Sequence, residues 1–88
     1  MKLPALFSEL QDLSAKMGLE VTQDRGSFRG GLCRFEGEDI IVLNKSATLD
    51  QRTRQLAEIL ASKNLDDIYI KPGVRSVLEK YQPAMDGG

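Results

Sequence analysis

The sequence predicts an α+β fold: an N-terminal helix, a small antiparallel sheet of three strands, and two C-terminal helices. Three observations carry that expectation. Leu3, Leu6, Phe7, Leu10, Leu13 and Met17 recur at three- and four-residue spacing, the period of a helix with one apolar face. Residues 19–43 change to short runs of strand-forming residues separated by glycine. From Thr48 onward the three- and four-residue spacing returns. Runs of one element type followed by another, rather than strict alternation, favour helices packed on one small sheet.

The first helix opens at Pro4, which suits a first turn because its missing N–H has no partner there anyway. Gly18 suits a left-handed stop, with Leu19 folding back as the hydrophobic contact of the cap. Residues 19–23 alternate apolar and polar, as a half-buried strand does. Residues 24–30 read as a loop, and 31–35 and 39–43 as two strands of a hairpin turning at Glu36 and Gly37. That turn sets Arg34 opposite Asp39 and Leu32 opposite Ile41 on one face, and Cys33 opposite Ile40 on the other. An opposite-charge pair across the strands supports the register. Ile40 to Leu43 is apolar on both faces, so the second hairpin strand is expected at the centre of the sheet.

Residues 44–47 connect to a second helix. Thr48 followed by Gln51 matches a capping box, and Asp50 favours the first turn. This helix is expected to run to about Asn64, with Leu49, Thr53, Leu56, Ile59 and Leu60 facing inward. Residues 66–72 leave open a fourth strand, since Ile68 and Ile70 alternate around Tyr69 before Pro72 ends any strand. Val74, Val77, Leu78 and Tyr81 mark a third helix starting near Pro72 and stopping before Pro83. One domain is expected over residues 1–83, with a disordered tail over 84–88. The Gly-Gly end of that tail matches ubiquitin-like modifiers in two residues only, and a helix stands where their first hairpin would be.

Composition narrows the chemistry. The chain has 88 residues, no histidine, one cysteine and a net charge of −1. No imidazole means no general base of the usual kind near neutral pH and none of the commonest metal ligand. One thiol cannot form an intrachain disulfide or, alone, a zinc site. No cofactor or metal is therefore expected, and no catalytic residue stands out. The near-neutral balance gives no general attraction to nucleic acid or anionic lipid. No run approaches the ~20 apolar residues of a membrane span, and Glu9 and Asp12 interrupt the N-terminal segment before a signal core forms. A lone thiol and the missing export signal lead us to expect a cytoplasmic protein.

The stretch from Arg25 to Phe35 is the main candidate for binding. Arg25, Arg29 and Arg34 supply charge, Phe28 could stack on a base, and Lys45 follows nearby. Residues 25–54 hold six basic and four acidic residues, a slight local excess of positive charge. The competing structural reading is that the glycines turn the chain into the sheet while Phe28 covers the edge of the core. Phosphate fingerprints need a longer pattern than this loop offers, so the structural reading is favoured. Cys33 is expected to be a small buried hydrophobe rather than a nucleophile, because nothing nearby would activate it. A third class, an enzyme using Glu58 with Asp66 and Asp67, or Cys33, ranks last.

The segment from Gly30 to Leu60 resembles a small bacterial family of unassigned function. The matching residues are the hairpin Gly30, Gly31, Cys33, Arg34; the strand end Val42, Leu43, Asn44, Lys45; the helix residues Leu56, Ala57, Glu58; and, later, Ile68, Tyr69 and Pro72. The hairpin and following helix are also similar, more remotely, to the front half of anti-repressor-type minimal zinc metallopeptidases. Where those carry two histidine ligands and a glutamate base, this chain has Glu58, Ser62 and Ile59, so the similarity implies a scaffold without the zinc chemistry. Taken together, the expected function is a non-catalytic protein-interaction or regulatory module that binds an unknown protein partner or itself. Nucleic-acid or anion binding through the Gly/Arg loop is the alternative.

Overall fold

In a computed structural model, which describes residues 1–81, the chain runs α1 (Leu3–Lys16), β1 (Glu20–Asp24), β2 (Gly31–Phe35), β3 (Glu38–Asn44), α2 (Leu49–Ala61) and α3 (Pro72–Tyr81). The expected tail over 84–88 lies outside the described residues. The helix–sheet–two-helix order is the expected α+β arrangement.

Helix α1 buries Phe7, Leu10 and Leu13 along its apolar stripe. It ends in a Schellman arrangement: the Gly18 N–H donates to the Ala15 carbonyl at 3.0 Å and the Leu19 N–H to the Ser14 carbonyl at 2.9 Å. Ser14 is fully buried, and its hydroxyl donates to the Leu10 carbonyl at 2.9 Å. The capping box of α2 is complete. The Gln51 N–H donates to Thr48 Oγ1, and the Thr48 N–H to Gln51 Oε1, each at 3.1 Å.

The sheet order is β1–β3–β2, with β3 central as expected. Every hairpin pair falls as the turn dictates: Arg34 opposite Asp39, Cys33 opposite Ile40, Leu32 opposite Ile41. Glu36 and Gly37 have φ of 51° and 82°, the doubly left-handed turn whose twist suits a two-residue hairpin.

The sheet is mixed, however, not all antiparallel, because β1 runs parallel to β3. The cause is the short link from β1 to β2. Once β2 and β3 form a tight hairpin, β2 begins beside the end of β3. The six residues after β1 only have to pass over one strand, a span of about 10 Å. A relaxed link of this length favours a β1 that also ends beside the end of β3, as it does. An antiparallel β1 would have to stretch the same six residues along the strands as well as across them, close to their full extended reach of about 20 Å.

One helix boundary is corrected, and the fourth strand left open by the sequence is absent among the described residues. Helix α2 stops at Ala61, three residues short of the expected end, where the Ser62 hydroxyl and N–H both donate to the Ile59 carbonyl. Residues 66–72 form no strand: a turn brings the Ile68 N–H to the Leu65 carbonyl, and Lys71 accepts the first bonds of α3. The alternation around Tyr69 instead places Ile70 in the core and leaves Tyr69 exposed.

Helices α1 and α2 pack on each other and together on one sheet face, α1 touching β1 and α2 touching β2 and β3. Helix α3 touches both helices and no strand among the described residues. The core is therefore one-sided. Ile41 and Leu43 of β3 point into it and are fully buried with Leu10, Leu56 and Leu60. Ile40 and Val42 point to the opposite face, which no described element covers, and stay half-buried.

Candidate functional site

The five candidate binding residues do not gather in one place. Arg34 sits beside the hairpin turn, where one terminal nitrogen lies 3.9 Å from an Asp39 carboxylate oxygen and the other donates to the Gly37 carbonyl at 3.4 Å. Arg25, Phe28, Arg29 and Lys45 lie at the other end of the sheet, roughly 20 Å away along β3. The Gly/Arg stretch thus divides into a loop and an edge strand.

The loop is built around Asn44. Its side-chain nitrogen donates to the Gly26 carbonyl at 2.8 Å and to the Phe28 carbonyl at 2.7 Å, while its oxygen accepts the Ser46 N–H at 2.9 Å. The Gln55 side chain reaches the Arg29 carbonyl at 3.3 Å. Gly30, with φ of 77°, brings the chain so close to β3 that a Cβ there would stand 2.6 Å from the Val42 carbonyl oxygen. Only glycine fits both the conformation and the gap. The Phe28 ring folds over Gly26 and is 37% exposed, so it covers its own loop rather than the edge of the core. Arg25, Arg29 and Lys45 are exposed, and no carboxylate lies within ion-pair distance of them among the described residues.

Arg52 is not available to this end of the molecule. Its guanidinium donates to Gln23 Oε1 at 2.8 Å and to the Ala47 carbonyl at 3.3 Å, and stands 5.7 Å from the centre of the Phe7 ring. It ties α2 to β1 and α1. Arg54 pairs with Asp50 one turn earlier at 3.1 Å.

Strand β2 overturns the expectation for cysteine: Cys33 is exposed, not buried. Hairpin alternation puts it on the uncovered sheet face with Phe35, which is 63% exposed. Leu32 lies on the same face as the buried Ile41 opposite it, yet is 42% exposed. An apolar strand with a free edge is thus open to solvent along nearly its whole length.

The groups considered for catalysis are dispersed. Glu58 lines a hollow with Arg29 and Gln55, Asp66 lines another with Lys63 and Arg75, and Cys33 lines neither. No three Cys, Asp or Glu side chains come together as a metal set among the described residues. Asp39 holds the clearest electrostatic feature. Lys63 Nζ donates to it at 3.0 Å. That bond and the ammonium charge hold its carboxyl below its ordinary value of 3.8, with Arg34 adding to the effect. Lys71 pairs with Glu9 at 2.9 Å and is raised above 10.5 by that contact. Both tie together segments distant in sequence.

No described helix is long and apolar enough to cross a membrane. Comparison with protein-family models, curated proteins and solved structures finds no significant match for this chain, which leaves the open strand and the cationic loop to speak for themselves.

Proposed function

We propose that this chain is a non-catalytic protein-interaction module that uses the β2 edge and the adjoining uncovered sheet face. One observation carries the reading. The more apolar of the two edge strands, with Leu32, Cys33 and Phe35, is also the more exposed. Native proteins usually blunt an open edge with charge, proline or a bulge. Strand addition to such an edge couples backbone hydrogen bonds with side-chain recognition on both faces.

The test is photocrosslinking in cells expressing the chain, with p-benzoylphenylalanine replacing Phe35 or, on the other edge, Glu20. The expected result is light-dependent protein adducts from position 35 and few from position 20. If position 35 yields no more than position 20, the reading is wrong.

The exposed cations Arg25, Arg29 and Lys45 at one end support a second reading, binding of an anionic polymer. A labelled oligonucleotide would then bind with an affinity that falls steeply with salt. With so few phosphate contacts the interaction would be weak, which is why it ranks second.

A further inference from the structure

We infer that the partner of β2 is β2 of a second copy, paired antiparallel about Cys33 into a continuous six-stranded sheet. This inference rests on the interaction reading above and narrows its partner.

The argument begins with the backbone. A two-residue turn makes Phe35 and Glu38 a hydrogen-bonded pair, and bonded and non-bonded pairs then alternate. Cys33 and Gly31 therefore bond toward β3, while the N–H and C=O groups of Leu32 and Arg34 point outward to the free edge. A second strand can bond only to those outward groups, so the register changes in steps of two.

Three registers remain. One sets Arg34 opposite Arg34 of the second copy, which like-charge repulsion disfavours. One sets Leu32 opposite Leu32 and leaves Phe35 beyond the paired strand. The third is centred on Cys33, the middle residue of β2, and overlaps all five residues. There, Leu32 lies opposite the aliphatic stem of Arg34 on one face. On the other, the exposed Phe35 ring lies over Gly31, whose missing side chain leaves room for it, as aromatic rings do over edge glycines. Each Arg34 keeps Asp39 as its own neighbour.

The other edge fails the same exercise. Pairing β1 with itself at full overlap sets Glu20 opposite Asp24 twice, like charges across each rung. At full overlap, then, one edge sets like charges against its copy and the other does not. With a net charge of −1 per chain, little long-range repulsion opposes association.

Centring on Cys33 has a readable consequence. The two thiols become a directly opposed, non-hydrogen-bonded pair, with Cα atoms about 4.5 Å apart, inside the range a disulfide spans. The test combines native mass measurement over a wide range of concentration with mild oxidation by diamide. Diamide takes two hydrogens from two thiols and leaves a disulfide. Expected are a reversible dimer, dimer by mass also for Cys33→Ser, and rapid covalent dimer from the unsubstituted chain. Leu32→Lys, which sets a lysine opposite Arg34, should slow crosslinking at least about tenfold, and so should Phe35→Ser in smaller degree; circular dichroism confirms that both fold. Glu20→Lys should change neither readout. A monomer throughout, or crosslinking indifferent to Leu32→Lys, or a polymer in place of a dimer, overturns the self-pairing. Adducts from position 35 to other proteins would then leave the interaction reading standing, whereas their absence would remove both.

Discussion

The two edge strands of the sheet invert the usual relation between composition and burial. Strand β1 reads Glu-Val-Thr-Gln-Asp and has its three central residues half-buried. Strand β2 reads Gly-Leu-Cys-Arg-Phe and has its last four residues exposed. Both are five residues long and both pair with β3. Each has a helix against it, α1 on β1 and α2 on β2, but Val21 of β1 and Leu19 just before it pack against the core, whereas Leu32 of β2 stays outside it. Apolar composition alone does not decide burial, and the interaction proposed for this chain rests on the strand that composition would have placed inside.

The sharpest way to break this comparison is to truncate matched leucines. Leu43→Ala, at a fully buried site of β3, should lower unfolding free energy by about 3 kcal/mol. Leu32→Ala should cost below about 1 kcal/mol in dilute solution. Denaturant unfolding measures both, and equal losses would mean that β2 is covered after all.

Next in size is the loop that separates the two edges. Gly30→Ala must accept a left-handed backbone and a Cβ against the Val42 carbonyl, and should lose about 2–3 kcal/mol. Gly37→Ala, with open space around its Cβ, meets only the conformational penalty, about 1 kcal/mol. Similar losses at both positions would show that the close approach of loop and β3 is relaxed in solution.

A smaller effect is expected at the capping box. Thr48→Ala removes the acceptor for the Gln51 N–H and should cost about 1 kcal/mol, read as a lower melting temperature.

The smallest effect concerns pH. The Asp39 carboxyl lies below its ordinary value, so its pairing with Lys63 stabilises the fold above pH 3.8. That stabilisation is lost as the pH falls through the depressed value, when the carboxyl takes up a proton. Asp39→Asn should flatten this part of the melting-temperature profile between neutral and acid pH while leaving the profile near pH 10 unchanged. There, Lys71, raised by Glu9, holds its contribution below pH 10.5 and loses it as the pH rises through its elevated value.

Local signals were read correctly where chemistry acts over three or four residues. The α1 stripe, the Gly18 stop, the Thr48–Gln51 box and the hairpin register all follow from spacing alone. The parallel direction of β1 is only favoured by a central β3, a tight hairpin and a six-residue link taken together, because an extended link of that length could also reach the other end. Cys33 departs from expectation for a different reason. Apolar neighbours in sequence do not reveal which sheet face is left bare, and alternation sets Cys33 away from Leu32. The roles of Asn44, Arg52 and the Asp39–Lys63 pair were illegible, because their partners lie 16–18, 29 and 24 residues away.

The order of strands has a consequence for how the chain assembles. The β2–β3 hairpin can close by itself within microseconds, whereas β1 must find a parallel partner twenty residues downstream and bring α1 with it. Until it docks, the central strand has a vacant flank, and the nascent hairpin offers two sticky sides instead of one. The rate at which the N-terminal segment arrives is therefore expected to govern whether concentrated refolding yields native protein or aggregate.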